Sequence, residues 1–201
     1  MYSSVALVGS AASAIMVLAA CSSDKATPSA STSSGSVSAP AITEPATADS
    51  TCPTAAPAGG TPEWTLTGTT GSVAVTGSTE AAAPRVDVTA PFSVTQTEVH
   101  TLHAGDGAVV APTATVSVCY MGVNGRDGKV FDSSYQRGVP ADFPLNGVVP
   151  GFQKAITGQK VGSTVGVAMA SADGYPDGQP QAGIQQGDTL VFAIKILSAM
   201  S

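Results

Sequence analysis

Two stretches of the chain alternate apolar and polar side chains with a period of two. Thr115–Met121 sets Val116, Val118 and Tyr120 on one face and Ser117 and Cys119 on the other. Thr189–Leu197 brings Leu190, Phe192, Ile194 and Ile196 into the same register. That period marks strands with one buried face, so both segments belong to a sheet that covers a core. Ser163–Met169 and Ser93–Leu102, rich in Val and Thr, are further strands. Ser72–Thr76 and Arg85–Val88 read as short edge strands. Turn clusters separate them at Gly105-Asp106-Gly107, Asn124–Gly128 and Asp173–Gly187. With 22 Gly and 14 Pro in 201 residues, a helical bundle or long coiled coil is ruled out.

One segment breaks the alternation. Pro150–Gly158 has Pro where a helix starts and Gly just past its end. Phe152, Ala155 and Ile156 fall at i, i+3 and i+4, an apolar stripe that sits on the sheet. One short helix on a mostly antiparallel sheet makes an α+β domain.

The composition changes near residue 60. Residues 21–60 are almost entirely Ala, Ser, Thr, Pro and Gly, too poor in apolar bulk to offset the entropy of ordering them. They read as a disordered tether. From Thr61 the chain gains Trp64 and every Phe, and about 140 residues is the size of one domain. Within it, residues 61–104 are expected as an N-terminal β extension packed on a domain of residues 105–201.

Residues 1–20 read as a signal peptide. Val5–Ala20 is apolar or small, shorter than the about twenty residues that cross a bilayer, and fits a secretory h-region. Leu18-Ala19-Ala20-Cys21 resembles a bacterial lipobox, whose Cys is acylated. The alternative is a buried apolar helix with a chance Cys. Met1–Ser4 lacks the Lys or Arg of an n-region, which leaves a start upstream of Met1 open. The expected location is the extracytoplasmic face of a cell membrane, held by lipid on Cys21. If Cys21 carries lipid, Cys52 and Cys119 remain as an even pair in an oxidising compartment, a candidate disulfide. Two free thiols, with Cys119 a small strand hydrophobe, are the alternative.

Eight Lys plus Arg face fourteen Asp plus Glu, and no basic cluster exists, which excludes a nucleic-acid partner. His100 and His103, three apart in a strand-like run, are expected on opposite faces with no other ligands near, so no metal is expected. No Gly-rich phosphate loop opens a helix, and no nucleophile sits beside a base, so no cofactor is expected. Asp173 and Asp177 read as loop solvation. An aromatic set remains: Tyr120, Phe131, Phe143, Phe152, Tyr175 and Phe192. Phe143 reads as ordinary core, whereas Asp132 follows Phe131, and Tyr175 lies between Gly174 and Pro176.

Val118-Cys119-Tyr120-Met121-Gly122, Gly128-Lys129-Val130-Phe131-Asp132-Ser133-Ser134, Val148-Val149-Pro150-Gly151-Phe152, Lys160-Val161-Gly162 and Gly187–Phe192 stand in that order. Together they resemble the FKBP family of peptidyl-prolyl isomerases from about Gly105 to Leu197. The resemblance implies an antiparallel sheet of five to six strands wrapped around one short helix, with an apolar pocket between them. It implies Tyr120, Phe131, Asp132, Phe152 and Tyr175 as catalytic residues, and Val148, Val149, Ile184 and Phe192 as substrate-binding ones. Phe152 would be the floor under the proline ring. The Val149 N–H and the Tyr175 hydroxyl would bond substrate carbonyls. Expected ligands are Xaa–Pro segments of exported polypeptides and macrolides of the tacrolimus type. Phe152 stands where many members have Trp, and Ala141 where an aromatic wall residue is common, so the pocket is expected to be more open there. Gly183 replaces a usual aliphatic beside Ile184. The implied function is an isomerase assisting the folding of exported proteins at the cell surface. The alternative is a catalytically weak binding or chaperone module that holds proline-containing segments of a partner.

Overall fold

The computed structural model describes residues 51–57 and 59–200. The signal-peptide reading, Cys21 and the tether up to residue 50 lie outside the described residues.

The edge strands expected near residue 72 form a sheet of their own. β1 (Trp64–Thr67), β2 (Thr70–Thr76) and β3 (Arg85–Ser93) pair antiparallel in that order. The run Ser93–Leu102, expected as one strand, is divided. β4 (Glu98–His103) leaves the first sheet and pairs with a strand of the second. The intervening turn is held by the Val94 N–H, which donates to Thr189 Oγ1 at 3.1 Å. A Val/Thr pattern defines a strand but not which sheet it joins, so the main sheet begins within the segment expected as extension.

The second sheet adds β5 (Thr115–Asn124), β6 (Val130–Ser133), β7 (Ala141–Pro144), β8 (Thr164–Met169) and β9 (Leu190–Met200). Its order is β4-β8-β9-β5-β6, with β7 also on β5. β5 pairs with β9 over its whole length, with β7 through its first half and with β6 through its second. Two helices complete the fold, α1 (Ser134–Arg137) and α2 (Pro150–Ile156). All-antiparallel pairing around one helix of more than a single turn is the α+β architecture expected.

The main sheet is covered on both sides. On its front, Phe152, Ala155 and Ile156 of α2 pack with Val165, Val167, Met169, Ile194 and Ile196. On its back, Val73, Val75 and Phe92 of the three-stranded sheet pack with Ala168, Val191 and Ala193. β8, buried at every position, therefore lacks alternation, as a strand covered on both faces should. Burying each such Val, Ile or Phe contributes about 1.5–3 kcal/mol, enough to order so Gly-rich a chain. A Cβ on Gly151 would run into the Met169 side chain, so this glycine lets α2 approach β8.

Two expectations are corrected. The stretch expected to be disordered as far as Gly60 is fastened to the domain from Cys52. Cys52 forms a disulfide with Cys119, with Cα atoms 5.7 Å apart. The Cys52 N–H also donates to Gly138 O at 3.2 Å, and the Ala83 N–H to Ala55 O at 2.9 Å. A covalent link and backbone pairing replace the apolar bulk that the stretch lacks. His100 and His103 do not diverge either. A register shift between Thr101 and His103 brings both against the β1 side, where His100 stacks on Trp64 and His103 Nε2 lies 3.0 Å from Glu63 Oε1.

Candidate functional site

β5 carries Tyr120 to the front of the sheet, and β9 carries Phe192 beside it. β6 adds Phe131 and Asp132 at the sheet edge, and α2 raises Phe152 from below. Between these elements lies a cavity of about 420 Å³ lined by Tyr120, Phe131, Asp132, Val148, Val149, Phe152, Tyr175 and Phe192, with Phe143 and Gly147.

Phe152 is its floor. The rings of Tyr120, Phe143 and Phe192 stand roughly perpendicular to it, with centroids 6.0, 5.8 and 5.5 Å away. Phe131 meets Phe192 edge-on at 5.6 Å. Edge-to-face pairs each contribute about 0.5–1.5 kcal/mol beyond burial, so the rings hold one another in place. Gly122 makes this packing possible, because a Cβ there would lie 2.6 Å from Phe131 Cζ and 2.8 Å from Phe192 Cε1.

The polar side of the cavity is a three-residue network. The Tyr120 hydroxyl donates to Asp132 Oδ2, and Arg137 Nη1 donates to Asp132 Oδ1. Arg137 Nη2 also reaches the Tyr120 oxygen at 3.1 Å, and its guanidinium carbon lies 5.8 Å from the Tyr120 ring centroid. Burial, together with the neighbouring Asp132 carboxylate, pushes the Tyr120 hydroxyl up to about 12, so it stays a donor. Burial works against the Asp132 charge, but the hydrogen bonds from Tyr120 and Arg137 outweigh it and hold its carboxyl below the usual range. An ionised carboxylate bound on both oxygens is an anchor and a poor base.

Two further groups face the cavity from the other side. Val149 is the N-cap of α2; its carbonyl accepts from the Phe152 and Gln153 N–H groups at 3.0 and 3.2 Å. The N–H of an N-cap residue lies outside the helix's own bonding. Tyr175 sits in the β8–β9 loop, its carbonyl held by the Gly178 N–H at 3.0 Å.

Eight of the nine expected site residues thus line one cavity. Ile184 does not: it is buried in the core behind the wall and borders a separate surface depression with Asp177 and Pro180. Phe143, expected as ordinary core, is a wall residue. The strand period could have shown this, because Phe143 lies two residues after Ala141 and shares its face. Arg137, unremarked in the sequence, ends α1 and closes the network. Among the described residues no three His, Cys, Asp or Glu side chains gather as a metal site. The arrangement offers a ring-lined recess with donors at its rim and no nucleophile–base pair.

The profile of the FKBP-type peptidyl-prolyl cis-trans isomerase family matches residues 107–197, which build the cavity. The chain is 41% identical over 96 residues to a probable FK506-binding protein of Corynebacterium glutamicum, covering 47% of this chain and 80% of that one. It is 40% identical over 99 residues to the FKBP-type 22 kDa peptidyl-prolyl cis-trans isomerase of Escherichia coli, covering 49% of this chain and 48% of that one. The crystal structure of FkpA from Escherichia coli aligns with a TM-score of 0.47 at 34% identity, over 51% of this chain and 47% of that one. By the matched profile, and by a relative covered over four-fifths of its length, the chain belongs to the FKBP-type peptidyl-prolyl cis-trans isomerases.

Proposed function

We propose that this isomerase acts on Xaa–Pro bonds of exported polypeptides while anchored by lipid on Cys21 at the extracytoplasmic face of a membrane. The observation that carries the catalytic part is the Phe152 floor, ringed by Tyr120, Phe143 and Phe192. The location rests on the lipobox-like Leu18–Cys21 and the Ala/Ser/Thr/Pro segment that follows it.

Rotation about the Xaa–Pro bond faces a barrier of ~18–20 kcal/mol from amide resonance. No bond to a neighbouring atom breaks, so no nucleophile is required. The pyrrolidine ring enters the recess over Phe152, with Tyr120, Phe131 and Phe192 as walls and Val148 at the rim. The Val149 N–H and the Tyr175 hydroxyl bond the carbonyls that flank the proline. Twisting the amide weakens its conjugation and its polarity, which an apolar recess tolerates better than water does. A site that fits the twisted form better than either planar form lowers the barrier by the difference, tenfold for each 1.36 kcal/mol. Asp132, held by Tyr120 and Arg137, fixes the wall and takes no proton.

The test is exchange NMR on a short Ala–Pro peptide with the full chain added substoichiometrically. Broadening of the cis and trans resonances is expected. Binding shifts without exchange would favour a holding module instead. For the anchor, Cys21→Ala should move the chain from the membrane fraction to the soluble one; an unchanged partition would remove that part.

A further inference from the structure

The β8–β9 loop, which carries Tyr175, is closed on itself and fastened to the scaffold at a place the family resemblance does not mark. Gln179 and Ile184 pair backbone to backbone, with the Gln179 N–H donating to Ile184 O at 2.8 Å and the Ile184 N–H to Gln179 O at 3.1 Å. Residues 179–184 therefore close a small hairpin just beyond Tyr175, whose carbonyl accepts the Gly178 N–H at 3.0 Å. The hairpin's returning arm meets the turn after β5, where Arg126 Nη2 donates to Gly183 O at 3.1 Å. Arg126 Nε lies 3.2 Å from Asp188 Oδ1. The Asp188 carboxylate is nearly buried, and its Oδ2 also accepts from Asn124 Nδ2 at 2.7 Å and the Gln185 N–H at 2.8 Å.

A buried carboxylate that loses its donors is costly, so these four residues act as one joint. Asn124 is the last residue of β5, four beyond Tyr120. The joint thus ties the strand that supplies one cavity wall to the loop that supplies the opposite one. Nothing else in the turn after β5 reaches that loop with a charged group. Arg126 touches neither the cavity nor the three-residue network.

We propose that Arg126 and Asp188 are positioning residues for the isomerase: their joint sets the distance from the Tyr175 hydroxyl to the Tyr120–Phe192 wall, and so the affinity for the peptide carbonyl. Substrate entering the recess needs this spacing before any twisting begins. Loosening the joint then weakens binding and leaves the fit of the twisted amide over Phe152 unchanged.

The experiment compares wild type, Arg126→Met, Tyr175→Phe and the double variant, with KM and kcat for the Ala–Pro peptide taken from exchange NMR. Arg126→Met is expected to raise KM about fivefold, the size of the one neutral hydrogen bond made by the Tyr175 hydroxyl, with kcat within about twofold. In the double variant KM should be no higher than in Tyr175→Phe alone, because Arg126 acts through Tyr175. Arg126→Lys should recover part of the loss. An unchanged KM, or single effects that multiply in the double variant, overturns the proposal. The inference rests on the isomerase reading of the cavity. A wild type that broadens no resonance removes both, whereas an active wild type matched by Arg126→Met removes this one alone.

Discussion

Cys119 and Tyr120, adjacent in β5, serve opposite faces of the main sheet. Cys119 is bonded to Cys52 on the back, and Tyr120 lines the cavity on the front. The two-residue strand period alone separates them. Ser134 lies between: its Oγ accepts from the Tyr120 N–H at 2.8 Å and is 3.4 Å from Cys52 Sγ.

The bridge spans 67 positions, for which the chain-entropy description gives about 4 kcal/mol at most. Cys52→Ser with Cys119→Ser is therefore expected to lower Tm clearly. Well below that Tm the isomerase should turn over within about twofold of wild type, since Ser134 keeps its bond to the strand that holds Tyr120. Thermal unfolding and exchange NMR on the same samples check both. A variant of unchanged Tm would show the bridge to be without structural weight.

Phe152 supports three rings at once, so shortening it removes the floor and frees the walls. Phe152→Ala is expected to cost about 3–5 kcal/mol of stability, a typical truncation of a buried aromatic. Phe152→Leu keeps an apolar floor and should fold. It loses edge-to-face contacts with Tyr120, Phe143 and Phe192, so its kcat/KM should fall about tenfold. Wild-type turnover in a folded Phe152→Leu would move the site elsewhere.

Strand positions were legible where one face is buried and the other is not, as in β5 and β9. The boundary between β3 and β4 was not legible, because what parts them is a turn fixed by Thr189, nearly a hundred residues away. The cavity was legible through motif residues that lie close together in the chain, such as Phe131 and Asp132. Arg137 was not, because its role depends on α1 turning it back to Asp132 and Tyr120. The faces of His100 and His103 were misread because a register shift has no signature in the sequence. Ile184 was expected from the resemblance to bind substrate, whereas it is buried in the core and does not line the cavity.

The charge states around the cavity give a signed pH dependence. The Asp132 carboxyl lies below its ordinary 3.8, so the stability it contributes is present above that value. That contribution disappears as pH falls through the lowered folded value. Burial raises Tyr120 to about 12, so its contribution is complete below 10 and is lost as pH climbs from 10 toward 12. Tyr135, raised to about 12 mainly by burial, behaves in the same way. Tm is expected to be flat from about pH 5 to 9 and to fall on both sides. The Tm gap between wild type and Asp132→Asn should narrow below about pH 4. A gap that widens there would reverse the sign assigned to Asp132.

The last prediction concerns the rim. Ala141 sits opposite Val118 in the pairing of β7 with β5 and is half-buried against the front core. It shares the strand face of Phe143, which does line the cavity, so a larger side chain at 141 extends that wall outward. A macrolide of the tacrolimus type would cover this rim with apolar surface while its ring system fills the recess over Phe152. Ala141→Phe then adds more buried apolar area in the complex than in the free protein, where the half-buried site covers only part of the new ring. At about 25 cal/mol per Å² the gain is bounded near that of one aromatic ring, and the cost of fixing the side chain reduces it. Affinity is expected to rise about threefold to tenfold, with a more negative heat-capacity change of binding. Titration calorimetry at several temperatures reads both quantities. Unaltered affinity together with an unaltered heat-capacity change would place residue 141 outside the contact.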